Sequence, residues 1–312
     1  MPTKLKRKMS RQCTHAGSWY SSDANALRGQ LAELIGKASC PTRDSAKAII
    51  VPHAGYRFSG FTAAHAYKSI NPGNFSRVFV IGPSHHQYFE GCALPEPHLV
   101  SYSTPLGEMK LDQVVLNDLR SQQEASFKVF SKANDEEEHS IEMQLPFLKL
   151  VFESRPDAML VPIYIGSLVH NEDRILGRVL SKYFDDPGSL FIISSDFCHW
   201  GYRFRFTPKS FPDIAALVYP AGSTNARIES LDRQGMSLIA GQDSEGFYKY
   251  LQSTGNTICG KNGVLVLMQT MRHAQRKVHI EFVHYSQSAP LPELVSRSDS
   301  CVSYAAAVAS PV

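Results

Sequence analysis

Long apolar runs are missing from this chain of 312 residues: nothing approaches the roughly 20 apolar residues that cross a bilayer, and a run such as Val264 to Met268 is core-sized. No membrane span is therefore expected. A dominant charge is missing as well. The formal net charge is +3 and the basic residues are not gathered into a stripe, so the electrostatic footprint of a nucleic-acid binder is absent. Paired cysteines are lacking: Cys13, Cys40, Cys92, Cys198, Cys259 and Cys301 are scattered, with no CxxC among them. The N-terminal MPTKLKRKMSRQ has no apolar h-region. A disulfide framework is thus not expected, and the expected setting is the cytoplasm, with the nucleus also accessible. HExxH, GxSxG, GxGxxG and GxxxxGK[ST] are all absent, which argues against zincins, serine hydrolases, dinucleotide binders and nucleotide triphosphatases of the usual patterns.

What remains is a globular composition, 43% hydrophobic and 20% charged. Four short apolar runs rich in β-branched residues, Ala48 to Val51, Val78 to Ile81, Leu160 to Ile165 and Leu190 to Ile193, read as buried strands. Helical spacing lies between them, as in Leu27, Leu31, Leu34 and Ile35, or Ile175, Leu176, Val179, Leu180 and Phe184. Val278 to Tyr285 and Cys301 to Val308 add further strands. The pattern predicts an α/β fold, a single domain over 14–312 with a central mostly parallel or mixed sheet flanked by helices, behind a disordered basic arm at 1–13. Stretches 95–105 and 207–222 read as surface excursions. The acid run Asp135 to Glu138 suits the N-terminal end of a helix continuing through Phe152, with Pro146 either kinking that helix or delaying its start.

Chemistry concentrates after the strands. PHAGY carries His53, GPSHH carries His85 and His86, and SSDFCHW carries Asp196 and His199. Ligands of open α/β sheets bind outside the carboxyl ends of the strands, so the three clusters are expected to converge in one crevice. Neutral imidazole serves there as metal ligand or as proton carrier. Asp196 either orients an imidazole or caps the following turn. Cys259, in NTICG, is read from its surroundings alone as an inert buried thiol. His139 and Glu142 form an HxxE pair for one helical face, and Trp19 with Tyr20, in HAGSWY, forms an aromatic patch that lines a pocket or pins the N-terminus.

HAGSWY, PHAGY, GPSHH, DEEEHSIEMQLPF, SSDFCHWG, RFRF, NTICG and VSYAA follow one another from about residue 14 to about residue 308. In that order they resemble the Memo family, mediators of receptor-tyrosine-kinase-driven cell motility. The resemblance implies a fold similar to class III extradiol dioxygenases, non-haem iron enzymes. It also implies a metal site of His53, His85 and Cys259, with His199 placed like the acid/base of the dioxygenases and Trp19 as an aromatic wall of the pocket; His86, His139, Glu142 and Asp196 are expected in that pocket or around it from their own motifs. A cysteine where the dioxygenases have a carboxylate shifts preference toward a thiophilic, redox-active ion, copper or iron, with zinc also compatible. Ring cleavage is accordingly not the leading expectation. The resemblance further implies phosphotyrosine-containing receptor peptides and cytoskeletal regulators as partners, and signalling or redox control of motility as the role. The alternative is a non-haem metal-dependent oxidoreductase of the dioxygenase type. The segment 207–224 looks longer than in animal members.

Overall fold

A computed structural model of the chain describes residues 9–39, 46–169, 171–208, 223–291 and 296–312. The first half runs β1 (Met9–Arg11), α1 (Ala24–Lys37), β2 (Ala48–Val51), α2 (Tyr56–Tyr67), β3 (Arg77–Pro83), β4 (Cys92–Pro95), β5 (Leu99–Thr104), β6 (Gly107–Lys110), α3 (Gln113–Arg120), β7 (Phe127–Phe130), α4 (Lys132–Glu137) and α5 (Leu145–Val151). It continues with β8 (Met159–Ile165), α6 (Glu172–Asp185), β9 (Ser189–Ser194), β10 (His199–Gly201), α7 (Thr224–Ala240), α8 (Ser244–Thr254), α9 (Lys261–His273), β11 (Val278–Gln287) and β12 (Ser300–Pro311).

The strands expected from apolar runs form the middle of the main sheet, whose order is β10-β12-β2-β9-β3-β8-β4-β7, with β11 on β12. β2, β9, β3 and β8 are mutually parallel, whereas β12 joins β2 and β4 joins β8 antiparallel, so the sheet is mixed. All residues of β2 and β9 are buried, which is why their sequences show no alternation. Register then fixes the site. Val51 pairs with Ser194 and Ile81 with Ile193, so β2, β9 and β3 end side by side and release PHAGY, SSDFCHW and GPSHH at one edge. Helix α2 packs on β2 and β12, and α9 packs on β3 and β9. No helix among the described residues is long and apolar enough to cross a membrane.

Three expectations are corrected. Residues 1–8 of the expected arm lie outside the described residues, but Met9–Arg11 is a strand parallel to β5, and Arg11 is fully buried. Burial of a guanidinium requires carboxylate partners, and Asp135 and Glu142 supply them at a distance the sequence does not reveal. The stretch 95–105 is no excursion: β5 pairs with β1 and β6 in a second small sheet, with Leu99 and Tyr102 buried. The third is the capping role of the acid run: of the two outcomes open at Pro146 the helix takes the later start, at Leu145, with Pro146 in its first turn, where the missing N–H has no intrahelical partner to lose. The acids fold into the separate α4, and Asp135 and Glu138 are buried rather than capping. Of the stretch 207–224, residues 209–222 lie outside the described residues.

Candidate metal centre

His53 follows β2 directly, and its ring is fixed from beneath. The Ser194 hydroxyl donates its single proton to the Ser140 carbonyl (2.6 Å) and accepts from the Gln144 amide (2.9 Å). Only acceptor capacity is left for His53 Nδ1, 2.8 Å away, so Nδ1 carries the proton and Nε2 presents a lone pair. That Nε2 lies 3.1 Å from Cys259 Sγ. Burial, reinforced by the neighbouring His85, pushes the His53 imidazole well below its ordinary value and keeps it neutral.

His85 follows β3 and is oriented by Glu138. The carboxylate accepts the His85 backbone N–H through Oε2, and His85 Nδ1 lies 2.9 Å from Oε1, which also accepts from Ser140 N (2.9 Å). An ionised carboxylate only accepts, so His85 Nδ1 is the donor and Nε2 is again the free nitrogen. Burial alone would raise the Glu138 carboxyl, but the hydrogen bonds it accepts from the His85 side chain and backbone hold it well below the usual range.

Cys259 precedes α9 and reaches the same point. The Asp196 backbone N–H lies 3.2 Å from its sulfur. Burial and the nearby Asp196 carboxyl push the thiol well above its ordinary value. One donor atom from each of His53, His85 and Cys259 lies within 4.8 Å of the other two. His85, Glu138 and His139 form an overlapping trio on the same criterion, although the 2.9 Å His85–Glu138 bond already occupies two of its groups.

The remaining expected residues divide. His139 stacks on His85 (centroids 4.4 Å, planes 20° apart) and meets His53 edge-on, and burial with these two rings pushes it down to about 2. Trp19 lies over His139 at 4.4 Å and remains 36% exposed, while His86 is exposed, 6.1 Å from His139. Asp196 takes neither of its expected roles: its Oδ1 accepts the backbone N–H of His53 (2.8 Å) and of Ala54 (3.3 Å) and so holds the PHAG turn in place. Burial pushes its carboxyl up. His199 Nδ1 faces the carbonyls of Phe197 (2.9 Å) and Thr257 (3.2 Å), which makes it a donor and leaves Nε2 as the free nitrogen of the ring. Glu142 is not brought to the cluster. It binds Arg11, His15 (2.9 Å) and Tyr20 (2.7 Å), so His139 and Glu142 serve different networks.

Glu138, Ser194 and Gln144 were not singled out by the sequence. Glu138 is one of four consecutive acids that composition cannot tell apart, and Ser194 reads simply as the last residue of a strand.

The Cys259 loop has its own buried anchor. Asp232 Oδ1 accepts from Asn256 (3.0 Å) and Oδ2 from Tyr285 (2.9 Å) and Ser303. With no cation among its described partners, its carboxyl is pushed from 3.8 up to about 6, chiefly by burial. A raised folded-state value means that folding takes up a proton. The contribution of Asp232 to stability is therefore full below about pH 4 and is lost as pH rises through 6, a change of about 3 kcal/mol. Urea midpoints of wild type minus Asp232→Asn should fall across that window; a difference that does not vary with pH contradicts the assignment.

Two strand-end imidazoles, each with Nδ1 committed to a protein acceptor, and one thiol beside them define an α/β protein with a candidate His2Cys metal centre at the carboxyl edge of its sheet. Residues 11–308 match the model of the family described as Memo-like protein, and the chain belongs to that family. It is 41% identical to Protein MEMO1 of Xenopus laevis and 38% identical to Protein MEMO1 of Homo sapiens, each over 304 residues that cover 96% of this chain and 97% of the relative. Identity to Protein memo-1 homolog of Caenorhabditis elegans is 39% over 307 residues, 96% of this chain and 82% of that one.

Proposed function

We propose that this Memo-family protein holds a redox-active ion, copper or iron, on His53, His85 and Cys259, and acts in redox control of receptor-driven cell motility. The observation that carries the reading is the 3.1 Å approach of His53 Nε2 to Cys259 Sγ, with the other nitrogen of that ring locked as a donor to Ser194. The donor set fits such an ion, because imidazole and thiolate together favour Cu(I), Zn(II) and Fe(II) over hard, oxygen-seeking cations. When bound, the ion supplies one-electron chemistry. The protein's part is to present two Nε2 lone pairs, fixed by Ser194 and Glu138, and to release the Cys259 proton, so affinity rises with pH.

Anaerobic competition titration with Cu(I), Fe(II) and Zn(II) tests this. One ion per chain is expected, and it is expected to be lost in both Cys259→Ser and His53→Ala. Unchanged metal content in both variants overturns the reading. A second reading, docking of phosphotyrosine peptides, is favoured by the exposed Trp19 tilted against His139 and by Arg203, which lies over Phe204 (4.4 Å) where that ring meets His199 edge-on. Saturable peptide binding without a metal requirement would select it. Catechol turnover that vanishes in His199→Ala would instead select an oxidoreductase with His199 Nε2 as base.

A further inference from the structure

The metal reading gives no part to a buried ionic cluster that begins at Arg11. Every N–H of this guanidinium is used. Nε donates to Asp135 Oδ1 (2.8 Å), Nη1 to the Gln12 carbonyl (2.7 Å) and to Glu142, and Nη2 to the carbonyls of Asp135 (2.7 Å) and Glu138 (2.8 Å). Asp135 also accepts from Tyr164 (2.6 Å) and Tyr102, and Glu142 from Tyr20 and His15. One cation thus grips both ends of the segment 135–142 and the Glu138 carbonyl between them.

That carbonyl belongs to the residue whose carboxylate orients His85. We propose that Arg11 is a positioning residue for the His85 ligand: by fixing the Glu138 backbone it aims the carboxylate, and through it His85 Nε2, at Cys259. The inference rests on the metal reading above for its consequence, and on hydrogen-bond geometry alone for its cause. A guanidinium suits the task because its planar fork meets three carbonyls and two carboxylates at fixed angles, whereas an ammonium has three donors and no fork. A merely structural staple would need no contact with the Glu138 carbonyl, since Asp135 and Glu142 alone would pair the charge.

Arg11→Lys keeps the charge and loses the fork. Lys47→Met is the control: Lys47 Nζ donates to the carbonyls of Asp186 and Ser189 (both 2.6 Å), beside the amino ends of β2 and β9 and away from the site. Two readouts are taken on the full chain. Imidazole 15N NMR is expected to show His85 with a fixed, hydrogen-bonded Nδ1–H in wild type and in Lys47→Met, and exchanging between tautomers in Arg11→Lys. Cu(I) competition is expected to show affinity about tenfold lower in Arg11→Lys, but little further loss when the change is made in a Glu138→Gln background. A fixed His85 tautomer in Arg11→Lys overturns the inference whatever the metal content. So does equal loss of affinity in both backgrounds. A wild type that binds no ion while His85 still loosens in Arg11→Lys sinks the metal reading and leaves the positioning role standing.

Discussion

Glu138→Gln is expected to lower metal affinity roughly 10- to 100-fold while the chain stays folded. The carboxylate meets only donors: His85 N–H, His85 Nδ1–H and the Ser140 N–H. An amide must turn its NH2 toward at least one of them, and it removes the charge that makes the His85 ring a better ligand. The cheaper orientation places the NH2 at the Oε2 position, which orphans one backbone N–H at a cost of about 1–3 kcal/mol. Glu137→Gln, on an exposed neighbour in the same acid run, is expected to change neither quantity. The pH dependence carries a sign as well. Because Glu138 is held below the usual carboxyl range, its contribution to stability is complete above that range and is lost as pH falls through the lowered value. Glu138→Gln should therefore flatten the acid limb of the stability profile, the opposite of what Asp232→Asn does between pH 4 and 6. Chelator competition and urea midpoints across pH measure both effects; wild-type affinity in Glu138→Gln would remove Glu138 from the account of the site.

What could be read from the sequence follows from where each signal is stored. The central strands were legible because burial on both faces writes an uninterrupted apolar run, and Ala48–Val51 is recovered to the residue. Convergence of PHAGY, GPSHH and SSDFCHW was legible because topology, not side-chain detail, places three strand ends together. Cys259 needed the family likeness. Nothing in NTICG alone distinguishes a thiol beside an imidazole from an inert one, since the decisive contact joins positions 53 and 259. Polar pairings across the chain were not legible at all. Arg11 looks like one basic residue in a basic arm, yet its charge is neutralised by acids more than a hundred positions away, of which Asp135 looks like part of a helix cap and Glu142 like half of an HxxE pair. Hydrophobic burial is a property of a segment and leaves a periodic trace; a hydrogen bond belongs to two atoms and leaves none.

The second large effect concerns the glycine after the sulfur. At Gly260 φ is −88° and ψ 15°, a conformation open to any residue, so the demand for glycine is steric. A Cβ there would lie 2.5 Å from the Ser194 carbonyl oxygen, at the end of β9, and 2.5 Å from Ser195 Cβ, one residue past it. Neither can yield by rotating a flexible tip: one is backbone, the other sits at the root of its side chain. Gly260→Ala must therefore lift the start of α9 off the sheet, which carries Cys259 Sγ away from His53 Nε2 and strains Ser194, the residue that fixes the His53 ring. Overpacking of this kind costs about 1–3 kcal/mol, or several degrees in Tm for a chain of this size. The effect on binding is expected to be larger than the effect on stability. Zinc, as a yardstick, tolerates only about 0.2 Å around 2.0–2.1 Å to nitrogen and 2.3 Å to sulfur, so a displacement approaching 1 Å breaks the ligand set. Gly29→Ala in α1 is the counter-case: nothing lies within 4 Å of its added Cβ, and removing an interior helical glycine should raise stability by about 0.4–1 kcal/mol. Melting curves of the two variants should move in opposite directions, and only Gly260→Ala should lose the ion; unchanged binding with an unchanged Tm would mean that the start of α9 does not rest on β9 as described.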